Sequence, residues 1–390
     1  MNAVPRFRVL ALCALALIVL CTSGLAQSKA RLIVAGKSHA LDKLPSELPA
    51  AMRSAIERWR PFCDSLEYNL HAGADARLLL ATSVKNSRGA ARIEKLQKTI
   101  AWFDKRLPAV AQPISETEKP ATAPPEDKDK PLAPGESRSW SWSSEDLVPD
   151  ADCGVLFVLA DEAQYKLLLE ELARQDKSLE DWTLSARKET GFVVPRPLCA
   201  AFLEKAAGMQ EWDPEHELVN RCAQLLLVRR FGMQPFWVQQ GIGWCAEWAY
   251  DGSLYCFPFR REFVYATEHG AWPNELKKRF AAGPQAFDWS AFDGWARGRW
   301  DSERARQAFG VLAMLLQEPA PKLALALEEL RVFRDTDNRR KTGEYSWERD
   351  PKYEIKAGKQ TEVLQQHLGE DLGTRVVKFL ERGSAAYKTL

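Results

Sequence analysis

Residues 213–232 read DPEHELVNRCAQLLLVRRFG and residues 235–250 read PFWVQQGIGWCAEWAY. Asp213 is a residue type that caps a helix, and Pro214 is favoured at the first helical position, where its missing N–H has no partner to lose. Glu215 and Glu217 then place negative charge at the positive end of the helix dipole. A helix is expected to begin at 213–214 and to run to about Phe231, where Gly232 supplies the stop. A second helix spans roughly Pro235 to Tyr250. On the first, His216 and Asn220 lie four residues apart, about 40° around the axis, so they share one side with Glu217 beside them.

Upstream of this helix pair the pattern is mixed. Gly154–Leu159 is a continuous apolar run and reads as a buried strand, followed by a helix striped with Tyr165, Leu168, Leu169 and Leu172. Gly191–Pro195 reads as another strand that stops at proline. Nearer the N-terminus, residues 31–35 and 76–84 read as strands. Leu48, Met52, Ile56 and Trp59 mark one helix, and Ile93, Leu96, Ile100, Phe103 and Leu107 mark a second. Beyond Trp272 the apolar spacing is mostly helical, apart from the charged, poorly periodic residues 334–359, expected to be a solvated loop. No internal repeat is found. The fold expected is α+β: a small mixed sheet with helices, then the helix pair, then a helical C-terminal lobe.

Of the 390 residues, 46% are apolar, and 54 Lys and Arg balance 53 Asp and Glu. That is the composition of a water-soluble globular chain, and its neutrality excludes a strongly basic nucleic-acid binder and an acidic tail protein. Arg6 and Arg8, the apolar run Val9 to Val19 and the exit Gly24-Leu25-Ala26 read as a secretory signal peptide cleaved after Ala26. The apolar run is too short to span a bilayer, and no later stretch approaches the roughly 20 residues a membrane helix needs. The expected compartment is therefore periplasmic or extracellular. Cys63, Cys153, Cys199, Cys222, Cys245 and Cys256 remain in the exported chain, where disulfides are permitted, but no pairing is readable and no zinc-type Cys/His spacing occurs. From Pro108 to Pro134 there are seven prolines and almost no large apolar residue, the mark of a linker or an inserted loop. The alternating Trp140 and Trp142 just after it fit an edge strand pinned to the core. These readings divide the chain into a signal peptide (1–26), an N-terminal α/β region (27–107), a proline-rich linker or insertion (108–150), a core (151–270) and the helical lobe (271–390).

The run from Glu211 to Tyr250 resembles the active-site helix pair of the gluzincin metallopeptidases, particularly the bacterial peptidase-MA-like domains. Those show His-Glu-x-x-His, about twenty further residues, and a Trp-x-x-Glu-Gly segment whose Glu is the third zinc ligand. The resemblance implies that His216 stands for the first ligand and Glu217 for the general base. Asn220 stands where the second His belongs. In Trp237-Val-Gln-Gln240-Gly241, Gln240 takes the place of the ligand Glu, and counting from Asn220 selects Gln239 instead. Carboxamides are weak ligands for Zn²⁺, which prefers imidazole, thiolate and carboxylate. One strong ligand cannot hold zinc, and without zinc Glu217 has no activated water.

The resemblance therefore implies an exported protein with a catalytically inactive peptidase-like domain, no cofactor, and His216, Asn220 and Gln240 joined in a polar network between the helices. Such a protein would act by binding a peptide, a cell-wall component or another exported protein. One alternative is an active secreted metallohydrolase with zinc on a non-standard site, with Glu247 or a cysteine as substitute ligand; another is that the match is accidental and His216 is an ordinary helix-face histidine. Trp237, Trp244 and Trp248 share one helix face, as core or as a groove gripping an extended ligand. No Gly-x-Ser-x-Gly elbow, phosphate-binding loop or dinucleotide fingerprint occurs.

Overall fold

A computed structural model describes residues 30–83, 85, 87–109, 152–206, 212–255, 270–281, 287–289, 301–318, 320–337, 339–341, 347–349, 355 and 358–390. The expected signal peptide, Trp140 and Trp142, nearly all of the proline-rich segment and Cys256 lie outside the described residues. Strands β1 (Arg31–Val34) and β2 (Lys37–Ala40) form a hairpin that turns through Ala35 and Gly36, both at positive φ. There follow α1 (Ala50–Leu66), β3 (Tyr68–Ala72), β4 (Leu78–Ser83) and α2 (Gly89–Arg106). After the proline-rich segment come β5 (Gly154–Leu159), α3 (Glu162–Gln175), α4 (Glu180–Ala186), β6 (Gly191–Pro195) and β7 (Leu198–Leu203).

The seven strands form one sheet in the order β2-β1-β3-β4-β5-β7-β6. Strands β4, β5 and β7 are mutually parallel, β1 is parallel to β3, and the remaining pairs are antiparallel. In β5, Val155, Phe157 and Leu159 face α1 and α3, where Trp59 packs edge-on against Phe157. Leu156 and Val158 face the opposite core, with α2 and the helix pair. Burial on both faces is why this strand is apolar at every position.

The helix pair is α5 (Pro214–Phe231) and α6 (Phe236–Asp251), followed by α7 (Trp272–Phe280), α8 (Ser302–Leu315), α9 (Ala320–Asp337), α10 (Lys359–Leu368) and α11 (Leu372–Leu380). Helix α5 lies between the sheet and this helical lobe, and every residue from His216 to Arg229 is buried. The molecule is thus a mixed α+β fold. No helix among the described residues is long and apolar enough to cross a membrane.

The structure adds to the sequence pattern and in one place corrects it. Strands β2, β3 and β7 were not anticipated from the sequence pattern. The expected loop at 334–359 instead holds the end of α9 and a two-stranded ribbon, β8 (Arg339–Lys341) with β9 (Trp347–Arg349). The strands on either side of the proline-rich segment belong to one sheet, since β4 pairs directly with β5. The described cysteines, Cys63, Cys153, Cys199, Cys222 and Cys245, are free and buried. Burial raises their thiol pKa values, Cys153 to about 12, which leaves them poor nucleophiles.

Candidate functional site

Helix α5 starts where the capping argument places it. The Asp213 carboxylate accepts the Glu215 N–H at 2.8 Å, and Gly232 ends the helix at φ 62°. Helix α6 opens at Phe236 and runs back along α5. Eleven positions separate Asn220 from Phe231 at the end of α5, and eleven separate Phe236 from Glu247 along α6. The hairpin therefore brings Glu247 level with Asn220. Gly243, one turn earlier on α6, makes room for this: a Cβ there would stand 2.5 Å from Asn220 Nδ2.

Glu247, fully buried, is the hub. Its Oε1 accepts from Asn220 Nδ2 at 2.6 Å, and its Oε2 lies 3.1 Å from His216 Nδ1. The same Oε2 accepts the backbone N–H of Tyr255 at 2.7 Å. The Tyr255 ring covers the imidazole at 4.4 Å between centroids. Gln224 Nε2 donates to Asn220 Oδ1 at 2.6 Å, so the amide is engaged at both ends. On the far side of the imidazole, Asp251 Oδ2 lies 3.4 Å from Nε2. Burial by itself would lower the His216 pKa. The hydrogen bond and charge of Glu247, with the charges of Asp251 and Asp213, outweigh it and hold the imidazole above its ordinary range.

Glu217 is committed elsewhere. Arg221, one turn on and also buried, donates from Nε to Glu217 Oε2 at 2.9 Å. Strand β6 accommodates that guanidinium through Gly191, where a Cβ would stand 2.8 Å from Arg221 Nε and 2.7 Å from the Ala201 carbonyl oxygen. Close by, the fully buried Arg92 of α2 ties Glu204, just past β7, to Glu215 in the first turn of α5.

The structure thus joins His216 to Asn220 but leaves out Gln240. That side chain is buried and makes no hydrogen bond among the described residues; it sits seven residues, about 10 Å of helix rise, from Glu247. Gln239 is likewise apart, donating to Met233 Sδ at 3.4 Å. The expected network of His216, Asn220 and Gln240 is corrected to His216, Asn220, Gln224 and Glu247. Of the two readings of the tryptophan face, core and groove, the contacts among the described residues are those of core packing. Trp237 donates to Gln360 Oε1 at 2.9 Å, Trp244 packs on Trp272, and Trp248 packs on Phe309 and Tyr387. Trp237 and Trp244 are buried and Trp248 partly buried against the C-terminal lobe.

The zinc implied by the resemblance does not fit these residues. Glu247 and Asp251 stand on opposite nitrogens of His216 and do not converge on one point, and Asn220 directs an N–H₂ group at Glu247. A ligand imidazole must also be neutral, whereas these carboxylates favour its cation. Among the described residues no three His, Cys, Asp or Glu side chains are grouped to hold a metal ion. No protein-family model matches the chain, and no curated protein matches it.

Proposed function

We propose that this is an exported, non-catalytic protein built on a gluzincin-like helix pair, acting by binding a peptide, a cell-wall component or another exported protein. One observation carries the reading. The two groups a zinc hydrolase would direct at metal and water are turned on protein partners: Glu217 on Arg221, and His216 on Glu247 and Asp251. A carboxylate paired with a buried guanidinium is a poor general base, because the cation stabilises its unprotonated form and so weakens its pull on a proton. What remains is a rigid polar joint between α5 and α6, the kind of element that preserves a binding surface rather than one that turns substrate over.

The test is metal content and peptide hydrolysis on the chain from Gln27 onward, purified without chelators and re-equilibrated with zinc. The expected result is no stoichiometric metal, and no hydrolysis that responds to chelation or to Glu217→Gln. Stoichiometric zinc with chelator-sensitive hydrolysis would overturn the reading in favour of the metallohydrolase. Export is checked separately, by sequencing the N-terminus of the protein recovered outside the cytoplasm, which should begin at Gln27.

A further inference from the structure

His71 lies at the other end of the chemistry, on β3, and plays no part in the helix-pair network. Its imidazole is buried, with Nε2 at 3.0 Å from Thr82 Oγ1 on β4. The ring lies directly against the first residue of α2: a Cβ at Gly89 would stand 2.2 Å from Cε1, 2.6 Å from Nε2 and 2.8 Å from Nδ1. Gly73, just past the end of the strand, is held equally close to α2, with a Cβ there 2.9 Å from Gln97 Nε2. The contact leaves no room for a hydrated ring. It also sets the imidazole at the N-terminus of α2, where the helix dipole puts positive potential.

Among the described residues, the elements around the ring offer no compensating anion. Thr82 on β4 and Ile33, the β1 residue in register with His71, are uncharged. Arg88 and Arg92 on α2 are cations directed at Glu204 and Glu215. Helix α1 packs on the opposite face of the sheet, against Leu70. Desolvation alone accordingly holds His71 below the ordinary imidazole range.

We propose that His71 is an acid-sensitive joint between the sheet and α2, whose protonation drives the ring out from under Gly89 and loosens the first turns of that helix. The consequence reaches the helix pair, because those turns carry Arg92, the clasp on Glu204 and on Glu215 at the start of α5. The sign follows from linkage. The closed state holds His71 neutral and the open state lets it titrate at about 6.5, so closure is fully favoured above that value and is lost as pH falls below it. Opening should increase up to about tenfold per pH unit across the window between the open and closed values.

Two measurements on the whole protein test this. Hydrogen exchange of the α2 amides, corrected for intrinsic rate, should show opening rising as pH is lowered from 7.5 to 5, and His71→Gln, which stays neutral and can still bond Thr82, should flatten that rise. Independently, an NMR titration of the wild-type imidazoles should show one residue protonating below the others, in step with α2 opening. Ordinary titration of His71, or equal pH profiles in wild type and variant, would overturn the proposal.

Discussion

Arg221 decides the chemical character of Glu217. A buried carboxylate is tolerated beside a guanidinium and is costly without one, so the two substitutions should be strongly non-additive. Arg221→Met is expected to destabilise the protein by about 3–5 kcal/mol, the typical result of leaving a buried charge without its ion-pair partner. Adding Glu217→Gln should recover much of that loss, since it removes the charge left behind. Urea unfolding of both variants and of Glu217→Gln closes the cycle. An Arg221→Met protein as stable as wild type would mean that Glu217 does not depend on the pair, and the argument for its disablement as a base would fail.

At the scale of the element, the α5–α6 hairpin explains both what the sequence revealed and what it concealed. The Asp213-Pro214 start and the Gly232 stop are local signals, and the helices form where those signals put them. The level at which one helix faces the other is not local. It depends on where α5 ends and α6 begins, and that geometry selects Glu247 over Gln240 as the partner of Asn220. Metal donors at about 2.0–2.1 Å in a tetrahedral array stand roughly 3.3 Å apart, close to the 3.1 Å between His216 Nδ1 and Glu247 Oε2. Asn220→His alone should therefore create a zinc site from His216, His at 220 and Glu247, while Gln240→Glu alone should not. Zinc retained after dialysis distinguishes the two; the opposite pattern would show that the helices face each other in another register. The missed strands have a different cause. Strand β7 (LCAAFL) is covered on both faces, as β5 is, but with two alanines and a cysteine in its middle, and β3 (YNLHA) carries polar residues satisfied across the sheet, Asn69 by the Arg31 N–H of β1 and His71 by Thr82 of β4. Both carry a strand signal, alternation in β3 and a continuous apolar run in β7, but over only five and six residues.

Across the whole molecule, the end of α5 farthest from the His216 network gathers the chain. Arg77, at the start of β4, binds Asp75 and also Asp104 on α2, and Arg230 of α5 reaches the same Asp104 at 2.8 Å. The Arg77 hydrogen bond holds Asp104 below the usual carboxylate range; burial opposes this and Arg230 reinforces it. A depressed carboxylate contributes stability that is present above about 3.9 and lost as pH falls through its lower folded value. Arg77→Met should therefore lower the urea midpoint at pH 7 and shrink the further drop seen on acidification to pH 3.

The same corner fixes both roots of the proline-rich segment. Arg230 donates to the Leu107 carbonyl, and its neighbour Arg229 donates to that of Asp152 at 2.7 Å. Two consecutive arginines on one buried helix thus hold the points where the chain enters and leaves the proline-rich segment, and β4 pairs directly with β5. If the anchoring is sufficient, the fold does not need the excursion. Replacing residues 111–150 with a short Gly/Ser linker should leave the far-UV circular dichroism of the remaining chain unchanged and move the melting temperature by less than about 2 °C, the shift expected of roughly 1 kcal/mol in a chain this long. A cooperative transition lost altogether would show that the segment belongs to the core. Retained folding with loss of a captured peptide or glycan would instead place the binding function in the insertion and leave α5 and α6 as its scaffold.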